Sequence, residues 1–227
     1  MTRRTLGLAV ALSVGLAAVA AAQAQTKESQ AAMTPSKSLD ALKAGSARFV
    51  AGKPKPQDLK AQVAATAAGQ YPFAAVVSCM DSRAPVEMIL DQGIGDLFSL
   101  RVAGNVIEGD FLGSLEYAAK VVGVKLIVVM GHTSCGAVKG AVDDVKLGNL
   151  TALLAQIEPA IVAVGPPRGT SKDHAYVEKV AEANVRNSMK QIHTKSPVLE
   201  EMLKSGKLGL VGAMYDVETG KTTFYAD

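Results

Sequence analysis

The chain has 227 residues and a formal net charge of +3 at pH 7, with 24 basic residues against 21 acidic ones. This length is enough for one domain with a sizeable core. The near-balance of charge, without a basic stripe interleaved with aromatic residues, argues against nucleic acid as a partner.

The N-terminus has the pattern of an export signal. Arg3 and Arg4 precede an Ala-rich, moderately apolar run over residues 6–22, and the small residues of Ala22-Gln23-Ala24 suit a signal peptidase. We therefore predict a signal peptide over residues 1–24 and a periplasmic mature protein without a membrane span; secretion from the cell is less favoured. The paired arginines also resemble a twin-arginine signal, although the general secretory route stays open. A membrane anchor or an amphipathic helix is the alternative, but the run is short and Ala-rich for a span.

Two helices are predicted after the signal. Residues 25–37 are polar and Ala-rich, so we predict a flexible segment there, followed by a single domain over residues 38–227. An amphipathic helix is predicted to begin at Ser38, which can cap it, because apolar residues up to Val50 recur at helical spacing. A second, Ala-rich helix is predicted over residues 58–68.

Strands and helices alternate along the rest of the chain. Three short apolar runs predict strands over residues 73–79, 97–102 and 125–130, and the first and third are expected to be buried within a sheet. Helical spacing predicts helices over residues 110–122 and over most of 150–203. The alternation predicts a single α/β domain with a mainly parallel central sheet flanked by helices. A C-terminal hairpin is predicted over residues 208–215 and 222–225.

The chain has two cysteines, and in an exported protein the ordinary expectation is one disulfide. However, Cys79 follows one predicted buried strand, and His132 and Cys135 follow another. The carboxyl ends of parallel strands are where ligands bind, and residues three apart share a face at the start of a helix. Thiolate and imidazole together suit zinc better than a hard cation. We therefore predict that Cys79, His132 and Cys135 bind zinc, with the disulfide as the alternative.

Charged residues and glycines surround these three positions. Asp81 and Arg83 are two positions apart, so in an extended segment their side chains point the same way and can pair. An ordinary structural ion pair is the alternative. Gly131 and Gly136 flank the second ligand group, which predicts a sharp turn and a close approach of the chain to a neighbour.

The motif Cys79-x-Asp81-x-Arg83, followed by His132-x-x-Cys135-Gly136, closely resembles the signature of the β-class carbonic anhydrases. The resemblance extends from about residue 40 to the C-terminus. It includes three further stretches: Ala-Gly-x-x-Arg48-Phe49, Arg101-Val102-Ala103-Gly104-Asn105 and Ser114-Leu115-Glu116-Tyr117-Ala118. The family usually has Ser where this chain has Met80, but that position is not a metal ligand.

The resemblance implies an enzyme with one zinc ion per chain, held by Cys79, His132 and Cys135. The reaction implied is the reversible hydration of carbon dioxide to bicarbonate and a proton, by attack of zinc-bound hydroxide. Asp81 and Arg83 would then be a gating pair. When Arg83 holds Asp81, the fourth metal position is free for water; when the pair breaks, Asp81 can occupy that position.

The resemblance also implies a substrate pocket shared between subunits. It assigns Gln70 as a substrate-facing amide, and Phe98 and Tyr117 as aromatic walls that meet it across a dimer interface. A homodimer or a larger homo-oligomer is therefore implied. Plain packing of the two rings and a solvated loop position for Gln70 are the alternatives. A regulatory bicarbonate site that requires tryptophan is not expected, because the chain has no tryptophan.

Two other functions stay open. The same zinc scaffold could hydrolyse a related small molecule such as carbonyl sulfide or carbon disulfide, or the chain could be a non-catalytic zinc or redox module. A structural zinc site has four protein ligands and needs no gate, so the Asp81–Arg83 pair argues against the second. His174 and His193 lie in polar helical surroundings and are expected on the surface.

Overall fold

The computed structural model describes residues 24–226. The predicted signal peptide, residues 1–24, lies outside the described residues except for Ala24. Within the described part, no helix is both long enough and apolar enough to cross a membrane.

A five-stranded sheet forms the centre of the fold, in the order β2-β1-β3-β4-β5. The first four strands are parallel, and β5 pairs antiparallel with β4. The strands are β1 (Ala74–Ser78), β2 (Leu97–Arg101), β3 (Leu126–His132), β4 (Gly209–Tyr215) and β5 (Thr222–Ala226). The predicted mainly parallel sheet and the C-terminal hairpin are both confirmed.

Ten α-helices are found among the described residues, together with a short 3₁₀ turn (Ala103–Asn105) and a π-helical segment (Tyr117–Val122). The α-helices are α1 (Lys27–Ala31), α2 (Pro35–Val50), α3 (Leu59–Thr66), α4 (Val86–Ile89), α5 (Gly109–Glu116), α6 (Gly136–Val142), α7 (Gly148–Ala155), α8 (Glu158–Val164), α9 (His174–Lys195) and α10 (Pro197–Lys204). The predicted helix over residues 110–122 is therefore two segments, an α-helix and then a π-helical turn.

Alternate residues of the central strands pack against different helices. Ala75 and Val77 of β1 face a core shared with α5, α9 and α10. Ala74 and Val76 face the opposite core, shared with α2 and α4. Because successive strand residues point to opposite faces, helices cover both faces of the sheet. Every residue of β1 and β3 is buried, which explains the uninterrupted apolar runs of the sequence.

The segment predicted to be flexible, residues 25–37, contains helix α1 and the start of α2. Gln30 of α1 is buried, and its Nε2 donates to the carbonyl oxygen of Pro72 at 2.7 Å. This hydrogen bond ties α1 to the residues that lead into β1. The contact joins residues 42 positions apart, so the polar composition of the segment could not reveal it.

Helix α2 begins at Pro35, before the predicted start at Ser38. Thr34 is the N-cap, because its side chain accepts a hydrogen bond from the backbone N–H of Lys37. Pro35 suits the first helical position, where no backbone N–H is needed. The predicted capping role of Ser38 is wrong: its side chain is buried, with Oγ 3.5 Å from the carbonyl oxygen of Phe73.

Gly131 allows helix α9 to approach β3 closely. A Cβ at Gly131 would lie 2.7 Å from Cγ2 of Val185 in α9 and 2.8 Å from Sδ of Met214. A Cβ at Gly136 would meet no described atom within 4 Å. The predicted close approach is therefore confirmed at Gly131 and wrong at Gly136.

We expect Gly131→Ala to destabilise the fold by about 1–3 kcal/mol, because the β-branched Val185 cannot move aside without shifting α9. Urea unfolding of the purified protein measures this change. Gly136→Ala is the matched control and is expected to leave the free energy of unfolding unchanged or to raise it slightly, since alanine is favoured over glycine in a helix. Equal unfolding midpoints for the two variants would contradict the close-packing argument.

Candidate metal centre

Three buried side chains meet at the carboxyl edge of the sheet. Cys79 directly follows β1, His132 is the last residue of β3, and Cys135 is the N-cap residue of α6. In the register of the two strands, Ser78 lies opposite Met130. The chain therefore leaves both strands at the same edge, and the ligand atoms of all three side chains lie within 4.8 Å of one another. The predicted cluster is confirmed.

The spacing of these atoms fits a zinc ion. The two sulfur atoms are 4.0 Å apart, and both cysteines are free thiols. A tetrahedral ion with Zn–S bonds of about 2.3 Å requires a sulfur–sulfur distance of about 3.8 Å. A disulfide requires about 2.05 Å, so the alternative prediction of a Cys79–Cys135 disulfide is wrong.

The orientation of His132 also fits a metal ligand. Its Nδ1 lies 2.9 Å from the carbonyl oxygen of Thr133, which selects the tautomer with the proton on Nδ1. Its Nε2 is buried and has no hydrogen-bond partner among the described residues. Leaving a buried nitrogen without a partner is costly, and a metal ion would satisfy it.

The three ligands alter one another's protonation. A hydrogen bond from the thiol of Cys135 lowers the pKa of Cys79, and the thiolate of Cys79 in turn raises the pKa of Cys135. Burial opposes protonation of His132, but the adjacent thiolate of Cys79 outweighs it and raises the pKa of the imidazole. The cluster therefore retains protons that a cation would displace, because zinc binds thiolate and neutral imidazole.

The connection between His132 and Cys135 differs from the predicted one. The two residues do not share a helix face, because β3 continues through His132 and Cys135 precedes the first turn of α6. Between them, Ser134 has a φ of 55°, in the left-handed region. Its backbone N–H donates to Oε1 of Glu178 at 2.9 Å. A tight turn, and not helical spacing, brings the imidazole and the thiol together.

Asp81 and Arg83 form a two-pronged ion pair beside the ligands. Nε and an Nη of Arg83 donate to the two carboxylate oxygens of Asp81 at 2.9 and 2.8 Å. The pair is formed in a tight turn, closed by the bond from the Ala84 N–H to the Asp81 carbonyl oxygen at 3.0 Å, and not in an extended segment as predicted. The Arg83 guanidinium holds the pKa of Asp81 well below its usual range. Oδ2 of Asp81 lies 3.8 Å from Nε2 of His132, which places the carboxylate next to the metal ligands.

Arg101 contributes to the site in a way that the sequence did not indicate. It donates from Nε to the carbonyl oxygen of Cys79 at 3.1 Å, and from an Nη to the carbonyl oxygen of Asp81 at 2.6 Å. These bonds hold the backbone between the first metal ligand and the ion pair. Arg101 lies in one of the stretches that resemble the family, but no spacing rule predicts contacts across 20 or more residues.

The residues expected to line a substrate pocket are not gathered around the ligands of this chain. Gln70 is exposed in the loop before β1. The rings of Phe98 and Tyr117 are 6.3 Å apart and line a cavity of about 620 Å³. Phe98 pairs with Ala75, which precedes Cys79 by four residues, so the backbone of Phe98 lies about 13 Å along the sheet from the level of that ligand.

The other two histidines lie away from the cluster. His174 is exposed at the start of α9, as predicted. His193 is partly buried, with Nδ1 2.5 Å from a carboxylate oxygen of Glu200. The prediction that His193 is a surface residue is therefore only partly correct.

Comparison with known proteins identifies the family. Residues 74–222 match the family model described as carbonic anhydrase. The chain is 38% identical over 187 residues to carbonic anhydrase 2 of Mycobacterium tuberculosis, a match that covers 80% of this chain and 88% of that protein. The structure of the β-carbonic anhydrase CcaA is similar with a TM-score of 0.65 at 29% identity, over 74% of this chain and 78% of that one.

A tetrameric β-carbonic anhydrase of Sordaria macrospora is also similar, with a TM-score of 0.62 at 26% identity, over 71% of this chain and 84% of that one. Fold, ligand cluster and sequence similarity agree. The chain belongs to the β-class carbonic anhydrases, a family of zinc enzymes.

Proposed function

We propose that the chain hydrates carbon dioxide reversibly to bicarbonate and a proton at a zinc ion held by Cys79, His132 and Cys135. One observation carries the proposal: among the residues that the structure describes, the cluster has three protein ligands, with a carboxylate beside it that is held by an arginine. Structural zinc sites have four protein ligands, whereas catalytic sites have three and keep one position for water or substrate.

The protein contributes ligands of suitable charge. When bound, zinc lowers the pKa of water from 15.7 to roughly 7 and so makes hydroxide available near neutral pH. The two thiolates together neutralise the charge of the ion, and the buried position of both sulfurs keeps bulk water from screening them. The contact of Nδ1 with the Thr133 carbonyl oxygen holds the imidazole of His132, so that its Nε2 faces the metal position between the two sulfurs.

Asp81 and Arg83 are proposed to control the fourth metal position. Because the pKa of Asp81 is low, its carboxylate stays ionised at neutral pH and can only accept hydrogen bonds. While Arg83 holds it, Asp81 can orient a reacting water without competing for the metal. If Arg83 releases it, Asp81 is close enough to the cluster to turn toward the ion.

The free energy of the Asp81–Arg83 ion pair is small enough for the pair to form and break readily. The side chain of Arg83 is 51% exposed, and that of Asp81 is 16% exposed. Ion pairs in contact with solvent contribute about 1 kcal/mol or less, because water and salt screen them. A free-energy difference of that size between the held and released states would allow both to be populated at room temperature.

The active assembly is proposed to be a homodimer or a larger homo-oligomer. In it, Phe98 and Tyr117 of one subunit would meet Gln70 and the metal of another. The position of the two rings, away from the ligands of their own chain, supports this. Tyr117 is 51% exposed and the neighbouring Val121 is 70% exposed, as expected for residues that an interface would cover. The related Sordaria macrospora enzyme is described as tetrameric.

The proposed location is the periplasm, after removal of residues 1–24. The basic start, the Ala-rich run and the Ala22-Gln23-Ala24 site support export. N-terminal sequencing of the protein from a periplasmic extract would test this, with Gln25 expected as the first residue.

We expect the mature protein to contain about one zinc per chain, and Cys79→Ser and His132→Ala to lose both the metal and carbon dioxide hydration, because each change removes a ligand. Metal analysis and a stopped-flow assay with a pH indicator measure the two properties. His174→Ala, at an exposed position, is the control and should match the unchanged protein. Full zinc content without hydration of carbon dioxide would move the function to a related substrate such as carbonyl sulfide.

The proposed control of the fourth metal position by Asp81 and Arg83 predicts that variants of the two residues have non-additive effects. Asp81→Asn and Arg83→Ala should each retain zinc but lower kcat/KM by about 10²-fold or more. Combining them should cost little more than Asp81→Asn alone, since the role proposed for Arg83 in the reaction is to hold Asp81. A double variant whose loss equals the product of the two single losses would show that Arg83 has a separate role.

Activity is expected to rise with pH across the neutral range. Two thiolates donate more electron density to zinc than histidines do, so a coordinated water should be less acidic than at a site with three histidines. Asp81 does not add to this profile, because its carboxyl group is ionised throughout the range. A flat pH dependence of kcat between about pH 6 and 9 would contradict the expectation.

A further inference from the structure

Two backbone turns hold the metal ligands, and helix α9 contacts both. The first turn joins His132 to Cys135 and has Ser134 at a φ of 55°. The second is the 3₁₀ turn after β2, where Gly104 and Asn105 have φ values of 69° and 44°. Left-handed conformations are unfavourable for residues other than glycine unless the surrounding structure holds them.

Glu178 of α9 holds the first turn. Its Oε1 accepts the hydrogen bond from the Ser134 N–H at 2.9 Å, and the carbonyl oxygen of Ser134 lies 3.5 Å from an Nη of Arg83. The other carboxylate oxygen, Oε2, is buried and has no hydrogen-bond partner among the described residues. A buried carboxylate oxygen without a partner is unfavourable, so stability by itself does not explain an acid at this position.

Asn184 of α9 holds the second turn. Its Nδ2 donates to the carbonyl oxygen of Gly104 at 2.7 Å, and its side chain is fully buried. One turn further along α9, Oγ of Ser188 donates to the carbonyl oxygen of Asn105 at 2.9 Å. The N–H of Gly104 in turn donates to Sγ of Cys79 at 3.4 Å. Through this chain of contacts, α9 determines where the hydrogen bond to the metal-binding sulfur is placed.

We propose that Glu178 and Asn184 are positioning residues of the zinc site. Glu178 acts through Ser134 on the spacing of His132 and Cys135, and Asn184 acts through Gly104 on the sulfur of Cys79. Groups that orient metal ligands in this way commonly change metal affinity or activity by 10- to 100-fold when they are removed. The inference rests on the zinc site of the proposed function, but it concerns how tightly and in what geometry the metal is held.

The test compares zinc affinity among variants of the mature protein. Zinc dissociation constants are measured by competition with a chelating dye. The absorption spectrum of the cobalt-substituted protein then reports the ligand geometry. Glu178→Ala and Asn184→Leu should weaken zinc binding by about 10- to 100-fold and shift the cobalt spectrum. Glu178→Gln should stay close to the unchanged protein, because its amide oxygen can still accept the Ser134 hydrogen bond.

Two further variants separate positioning from a general effect on the fold. Glu182→Ala removes an exposed acid of the same helix, which pairs with Arg186, and should leave affinity and spectrum unchanged. Ser134→Gly combined with Glu178→Ala should recover much of the lost affinity, since glycine adopts a positive φ without support. The double variant also allows the role of Glu178 to be tested if Glu178→Ala alone folds poorly.

Unchanged zinc affinity and cobalt spectrum in both Glu178→Ala and Asn184→Leu would overturn the proposal. A double variant as weak as folded Glu178→Ala would overturn the role assigned to Glu178 through Ser134. Neither result depends on carbon dioxide hydration. Failure of the proposed function would instead be seen as an inactive but fully zinc-loaded unchanged protein.

Discussion

The pairing of β1 with β3 is the interaction on which the metal centre depends. Neighbouring strands lie about 4.8 Å apart, so residues that leave two paired strands at the same level are within reach of one ion. The register places Ser78 opposite Met130, so Cys79 is level with Gly131 and one residue from His132, and the ligand atoms of the two side chains come within 4.8 Å of each other. A slip of one residue would turn every side chain of one strand to the other face of the sheet. The buried, apolar composition of both strands prevents such a slip, because it would disturb the cores on both sides.

The electrostatics of the cluster explain why these side chains can be buried together. Two thiols, an imidazole and the nearby carboxylate of Asp81 favour a cation at their centre. Two arginines lie next to the cluster. Arg83 binds the carboxylate of Asp81, and Arg101 donates to the backbone carbonyl oxygens of Cys79 and Asp81. The two guanidinium groups thus bind groups around the metal ligands and do not bind the thiols or the imidazole. The same arrangement keeps Asp81 ionised, near the metal position and bound to a partner that solvent can reach.

Local composition and spacing were enough to predict much of this fold. The strands that carry the ligands, the hairpin at the C-terminus and the cluster of Cys79, His132 and Cys135 all follow from short stretches of the chain. Where the prediction was wrong, a rule based on neighbouring residues was applied to a position whose conformation depends on other parts of the structure. Ser38 has the chemistry of a helix cap, but the helix begins at Pro35 with Thr34 as its N-cap. Ser38 is therefore a buried residue within the helix. The spacing of His132 and Cys135 suits a helix face, but a left-handed Ser134 connects them instead.

The sequence by itself determined the ligand types, their order and the alternation of strands and helices, because these depend on residues that are close along the chain. Only the tertiary structure decided which groups support the ligands. Glu178 reaches Ser134 across 44 residues and Asn184 reaches Gly104 across 80, and no periodicity or motif encodes those contacts. They arise because α9 packs against β3 and the turn after β2 at once. The free energy of packing the whole core, and not a local preference of the backbone, holds both turns in place.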